Sequence, residues 1–202
     1  FISPGDFIPV AEETGLIIQL GEWVIERACW QMAEWEKVTG ETSLTMSINL
    51  SGKQLSDDNV VEHIKKVLAK TGLNPRRLKL EITESVVMEN IDMAIRKLTE
   101  MRNLGLRLSI DDFGTGYSSL SYLHRLPTNT LKVDRSFVFR MADNTENAEI
   151  VRTIVMLAKT LRMDVTAEGI ETYDQLFRLQ ELGVEHGQGY LFSKPLDVKD
   201  AT

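Results

Sequence analysis

The chain is short of cysteine, histidine and net positive charge, and each shortage narrows what it can be. Its single cysteine, Cys29, leaves no partner for an internal disulfide and fits a reducing, cytoplasmic compartment. The histidines His63, His124 and His186 are scattered, so there is no Cys/His cluster of the structural-zinc kind. Lysine and arginine total 23 against 30 aspartates and glutamates, a net charge of -7. That balance argues against a dedicated nucleic-acid or anionic-membrane face, so no DNA, RNA or direct membrane partner is expected. No apolar run approaches the ~20 residues that span a bilayer, and residues 1–6 lack the basic and apolar regions of a secretory leader. Phe1 rather than Met opens the chain and Ser3-Pro4-Gly5 reads as a loop, so a start within a longer protein is expected. No low-complexity or Pro/Gly-rich linker divides residues 1–202, which suits one domain.

What is present is alternation. Six short, β-branched runs read as strands, at 43–50, 78–83, 107–112, 130–134, 164–169 and 186–192. Helical spacing fills 21–37, 59–70, 91–103, 147–161 and 173–182. In the first of these Trp23, Val24, Ala28, Met32 and Trp35 mark the expected packing face, with Trp30 beside them and Cys29 as inert core. Ser56-Asp57-Asp58 offers an N-cap for the second and Gly72 its end, while Thr172 and Gly183 bracket the last. Strand–helix alternation at this spacing means βα units and a parallel sheet, either open and doubly wound or closed into a barrel.

The polar residues discriminate. Asn49, Glu81, Asp111 with Asp112, Lys132 with Asp134, Glu168 and Gln188 fall in or beside the ends of all six runs. Carboxylates in apolar strands are costly unless paired or metal-bound. A barrel gathers strand ends at one rim, whereas an open sheet concentrates its site at one switch point. The spread therefore favours a barrel. Oxygen donors without thiolate or imidazole suit Mg²⁺ or Mn²⁺, and acids enough for two ions plus a lysine suggest phosphodiester hydrolysis.

The order of motifs is more specific. Phe7–Ile17, Ser47-Ile48-Asn49-Leu50-Ser51, Glu81-Ile82-Thr83-Glu84-Ser85, the run Asp111-Asp112-Phe113-Gly114-Thr115-Gly116-Tyr117-Ser118-Ser119-Leu120, Leu131-Lys132-Val133-Asp134, Ala167-Glu168-Gly169-Ile170-Glu171-Thr172 and Gln188-Gly189-Tyr190-Leu191-Phe192 with Pro195-Leu196 occur in sequence. Together they resemble the EAL-type cyclic di-GMP phosphodiesterase family over essentially the whole chain. The resemblance implies an α/β, TIM-barrel-like (β/α)8 fold with one antiparallel strand, here lacking the first two strands and keeping about six βα units. It implies hydrolysis of cyclic di-GMP to linear pGpG with two Mg²⁺ or Mn²⁺. Asn49, Glu81 and Asp111 are then metal ligands, Asp111 bridging, with Asp112 and Glu168 completing the second ion's shell. Lys132 holds the attacking water or a phosphate oxygen, and Glu168 is also the candidate general base. Glu84 steadies the loop that begins at Asp111, and Glu171 and Gln188 contact loop, water or substrate. The Glu-Ala-Leu motif, whose glutamate is a ligand in the family, is absent from these residues. The expectation is therefore an upstream segment, with little or no activity in this stretch alone. A homodimer through the helix from Asn147 and its preceding loop, and upstream sensor or diguanylate cyclase domains, also follow from the resemblance.

Taken singly, each residue has a plainer role. Asn49 suits a strand-end cap, Glu81 a half-exposed strand, Lys132 a snorkelling surface side chain and Asp111-Asp112 a turn before a helix cap at Ser118. Glu168 and Glu171 suit a helix entry, Asp134-Arg135 an ion pair or cap, and Asp143–Glu149 a solvated loop and helix start. A receptor that binds without hydrolysis, and an inert interaction module, are the competing functions. Intact acids, Asn49 and Lys132 favour the enzyme.

Overall fold

Helix boundaries follow the caps that the chain supplies. Ser3 Oγ accepts from the Gly5 N–H at 3.3 Å ahead of α1 (Pro4–Thr14), which leads into α2 (Ile17–Thr39). The computed structural model describes residues 2–116, 120–141 and 145–201. The expected cap at Ser118, and residues 143 and 144 of the expected acidic stretch, lie outside them. Two units are distinguishable, Phe1–Leu108 with Arg125–Pro127, and Ser109–His124 with Thr128–Thr202.

In the first unit α2 is followed by β1 (Met46–Asn49), α3 (Gly52–Ser56), α4 (Val60–Thr71), β2 (Leu78–Thr83), α5 (Glu84–Glu89) and α6 (Ile91–Asn103). β1 and β2 are parallel, with Asn49 opposite Glu81. β1 is shorter than the run 43–50: the Ser43 N–H is taken by Glu41 Oε1 at 2.7 Å, a local bond that competes with a strand ladder. The packing face of α2 also differs from the expected one. Ile25, Cys29 and Met32, spaced i, i+4, i+7, are buried, whereas Trp23 is 62% and Trp30 42% exposed. Burial pushes the Cys29 thiol up to about 11, which keeps it protonated and inert. The α4 cap is Asn59 without a side-chain bond; Asp57 Oδ1 instead accepts from the Asn59 N–H at 3.2 Å.

The chain passes into the second unit within β3 (Arg107–Phe113), followed by α7 (Leu120–Leu123), β4 (Thr130–Val133), α8 (Arg135–Arg140), α9 (Thr145–Leu161), β5 (Asp164–Ala167), α10 (Tyr173–Leu182) and β6 (His186–Gly187). β3 to β6 pair in chain order and in parallel. Leu131, Val133, Val165 and Ala167 are fully buried, as parallel strands covered on both faces require. The last strand stops well short of Phe192. Gly189 turns the chain, with its carbonyl accepting from the Phe192 N–H at 3.1 Å, while the Leu191 N–H bonds Ile170 O at 2.9 Å. Among the described residues no helix is long and apolar enough to cross a membrane.

Candidate metal centre

In the first unit the polar strand ends adjoin each other. Asn49 is exposed at the end of β1, and its register partner Glu81 is 7% exposed near the end of β2. Glu81 lies between Leu80 and Ile82, both fully buried, so it is not a solvated edge residue. A carboxylate so placed calls for a cation or hydrogen-bond donors. Glu84, buried at the start of α5, adds a second acid three residues on. Beyond β1, a capping box fixes the turn into α3: the Ser51 N–H donates to Gln54 Oε1 at 3.0 Å and the Gln54 N–H to Ser51 Oγ at 3.4 Å.

The second unit holds a denser constellation. Ile110 pairs with Leu131 and Phe113 with Val133, so three steps on β3 match two on β4. This bulge falls on Asp111 and Asp112, and Asp112 adopts a positive φ of 52°. Successive residues of a regular strand point to opposite faces. The bulge breaks that alternation and re-aims adjacent side chains, as bulges beside active sites do. Aspartate tolerates the left-handed conformation better than most residues. Asp111 Oδ1 accepts the Asp112 N–H at 3.0 Å, and Asp111 Oδ2 accepts from Lys132 Nζ at 3.1 Å.

Lys132 is 3% exposed, which sets aside a snorkelling surface lysine. Its ammonium also pairs with Glu168 Oε1. The Gln188 side-chain amide donates to that same oxygen at 2.6 Å. Asp111, Lys132, Glu168 and Gln188 thus form one continuous polar chain, drawn from β3, β4 and the residues just after β5 and β6. The turn carrying Glu168 is fixed by the α10 cap, where Gln175 Oε1 accepts from the Glu171 N–H at 2.8 Å and the Thr172 N–H at 3.0 Å. Glu171 is exposed beside it.

Asp134, expected as a cap or ion-pair residue, has a second role. It caps α8, its Oδ1 accepting from the Ser136 N–H at 2.9 Å. It is also a neighbour of the cluster: one carboxylate oxygen each from Asp112, Asp134 and Glu168 lie within 4.8 Å of one another. The signal was its position one residue past a strand end, like that of Glu168. Burial first, then the charges of Asp111 and Asp134, push the Asp112 carboxyl above the ordinary aspartate value of 3.8; Lys132 and Arg135 oppose the shift. The donor set is oxygen-only and acidic, which fits a hard divalent cation such as Mg²⁺ or Mn²⁺.

The Asp112 shift carries a testable sign. A raised folded pKa favours the neutral acid, so this contribution to stability is present below the ordinary aspartate range. It is lost as pH rises through the elevated value. Metal binding needs the ionised form and reverses the preference. Asp112→Asn, which keeps the shape and suits a positive φ, is expected to raise the melting temperature in EDTA at pH 8 by a few degrees. It should leave the melting temperature in EDTA at pH 4 nearly unchanged and shrink the gain from added Mg²⁺ at pH 8. Calorimetry at both pH values checks all three.

Comparison with known proteins is consistent across the chain. The EAL domain family model matches residues 1–195. The bifunctional diguanylate cyclase/cyclic di-GMP phosphodiesterase MucR of Pseudomonas aeruginosa is 43% identical over 198 residues, covering 98% of this chain and 29% of MucR. The cyclic di-GMP phosphodiesterase NbdA of the same organism is 44% identical over 197 residues, covering 98% of this chain and 25% of NbdA. A solved structure of the PaMucR phosphodiesterase in complex with c-di-GMP superposes with a TM-score of 0.96 at 42% identity, covering 100% of this chain and 81% of that one. The chain thus spans under a third of the length of these curated relatives.

Proposed function

This chain belongs to the EAL domain family and has its α/β, TIM-barrel-like fold, and from that premise we propose that it hydrolyses cyclic di-GMP to pGpG with two divalent cations, Mg²⁺ or Mn²⁺. The observation that carries the proposal is the buried Lys132 held between the carboxylates of Asp111 and Glu168, beside Asp112 on a strand bulge. Structural lysines seldom sit 3% exposed among acids at strand ends, whereas catalytic sites collect such groups.

In this reading Asp111, Asp112 and Glu168 are metal ligands, and the family pattern adds Asn49 and Glu81. Such ions, when bound, lower the pKa of water and offset the charge of the diester. Lys132 orients the attacking water or a phosphate oxygen through its fixed ammonium. The water oxygen gives up a proton to Glu168 and bonds to phosphorus in line, the P–O3′ bond breaks, and the 3′ oxygen takes a proton from solvent and leaves as a hydroxyl. Glu168 is the proton acceptor, held in place by Lys132 and the Gln188 amide. Glu84 steadies the loop that follows Asp111, and Glu171 and Gln188 meet loop, water or substrate. The protein works as a homodimer in the cytoplasm, downstream of sensor or diguanylate cyclase domains.

The test is chromatographic. Full-length protein with cyclic di-GMP and Mg²⁺ or Mn²⁺ is expected to yield pGpG, and EDTA to stop the reaction. Tight binding with no product over hours would instead establish a receptor that binds without cleaving.

A further inference from the structure

A cavity of about 420 Å³ opens in the second unit against Glu168 and Gln188, within the range of small-molecule sites. Backbone bonds fix part of its wall. The Ile170 N–H donates to Gln188 O at 3.1 Å and the Leu191 N–H to Ile170 O at 2.9 Å, joining the segments that follow β5 and β6. Neither wall glycine has room for a side chain. A Cβ on Gly169 would fall 2.5 Å from Arg135 Cβ, and one on Gly189 would fall 2.2 Å from Ile170 O. At these two points the wall is therefore too close-packed for any side chain beyond glycine.

Two cations line this space, Arg135 and Lys194. Both are exposed, and neither has a carboxylate within ion-pair distance among the described residues. Lys194 Nζ lies 6.0 Å from the centre of the Tyr190 ring, the outer limit of a cation–π contact, so the ring biases its position and leaves its charge available. The surroundings are otherwise acidic, with Glu168 and Glu171 on the same cavity.

A cyclic dinucleotide brings two phosphodiesters. The carboxylate cluster and its ions serve the one that reacts. The other approaches an acidic surface and is repelled unless the protein supplies positive charge there. We infer that Arg135 and Lys194 hold the non-reacting phosphate of the cyclic dinucleotide in this cavity, beside the Tyr190 ring. The inference rests on the proposed phosphodiesterase reading and names the part of the substrate that these residues select. They bind without touching the reacting phosphorus, so their effect falls on KM rather than kcat.

The experiment compares the full-length protein with its Arg135→Gln/Lys194→Gln double variant on two substrates. One is cyclic di-GMP, and the other is bis(p-nitrophenyl) phosphate, which has a single diester. Loss of charge-assisted contacts is expected to raise KM for cyclic di-GMP by about 10–100-fold with kcat within about twofold. The fall in kcat/KM on the single diester should be at least about tenfold smaller, because it has no second phosphate. The wild-type KM for cyclic di-GMP should also rise with ionic strength more steeply than the variant's. An unchanged KM, or equal losses on both substrates, would overturn the assignment. A wild-type protein that neither binds nor cleaves cyclic di-GMP would instead remove the phosphodiesterase reading itself, and this assignment with it.

Discussion

Asp111→Asn is expected to lower turnover of cyclic di-GMP by at least ~10²–10³-fold, the scale of losing one preorganised electrostatic contact. Both oxygens of Asp111 are engaged, Oδ1 by the Asp112 N–H and Oδ2 by Lys132. An asparagine can still accept the backbone bond through its carbonyl. Its amide then faces the Lys132 ammonium with a donor, and one negative charge is lost where a cation must sit. The bulge itself depends on backbone pairing and survives. Circular dichroism should therefore match wild type, with stability reduced by about 1–3 kcal/mol for the mismatched polar contact. Turnover within threefold of wild type would contradict a bridging role for this side chain.

Lys132→Met is the second large effect, and it separates stability from chemistry. Lys132 has a side chain 4% exposed, and the two acids it serves, Asp111 and Glu168, are 12% and 16% exposed. Removing one partner of a buried ion pair strands the others, at a cost of about 3–5 kcal/mol. In EDTA the variant should therefore melt well below wild type. Added Mg²⁺ supplies a replacement cation to the same acids and should restore more of the melting temperature than it adds to wild type. Activity should stay at least ~10²-fold down even with saturating metal, because the ion does not replace a positioned donor. Equal melting temperatures for the two proteins in EDTA would show that the ammonium is not what holds the carboxylates together.

The legible parts of the chain are those governed by local chemistry. β2, α6 and α10 lie where periodicity and caps place them, α10 between Thr172 and Gly183. The order of strands and the polar residues at their ends were readable for the same reason. What was not readable depends on pairing and packing. The bulge at Asp111-Asp112 exists only in the register of β3 against β4, and no single-strand pattern encodes a register shift. β6 looks long because Tyr190, Leu191 and Phe192 are good strand residues, yet Gly189 must lie against the Ile170 backbone and the chain turns there. α2 carries apolar residues on two faces, and its large tryptophans outweigh the narrower Ile25–Cys29–Met32 stripe in any hydrophobic pattern although that stripe is the buried one. The burial of Lys132 was hinted at by Leu131 and Val133 on either side. Arg135 and Lys194 gave no such hint, since a basic residue after a strand or in a tail usually faces water.

Acids from separate strand ends are expected to hold divalent ions at Asp111. The most direct measurement is anomalous diffraction at the manganese edge from crystals of the protein grown with Mn²⁺ and cyclic di-GMP. The expected result is two peaks, both touching Asp111 and one of them also touching Asp112 and Glu168. Density for manganese elsewhere, with none at Asp111, would contradict it.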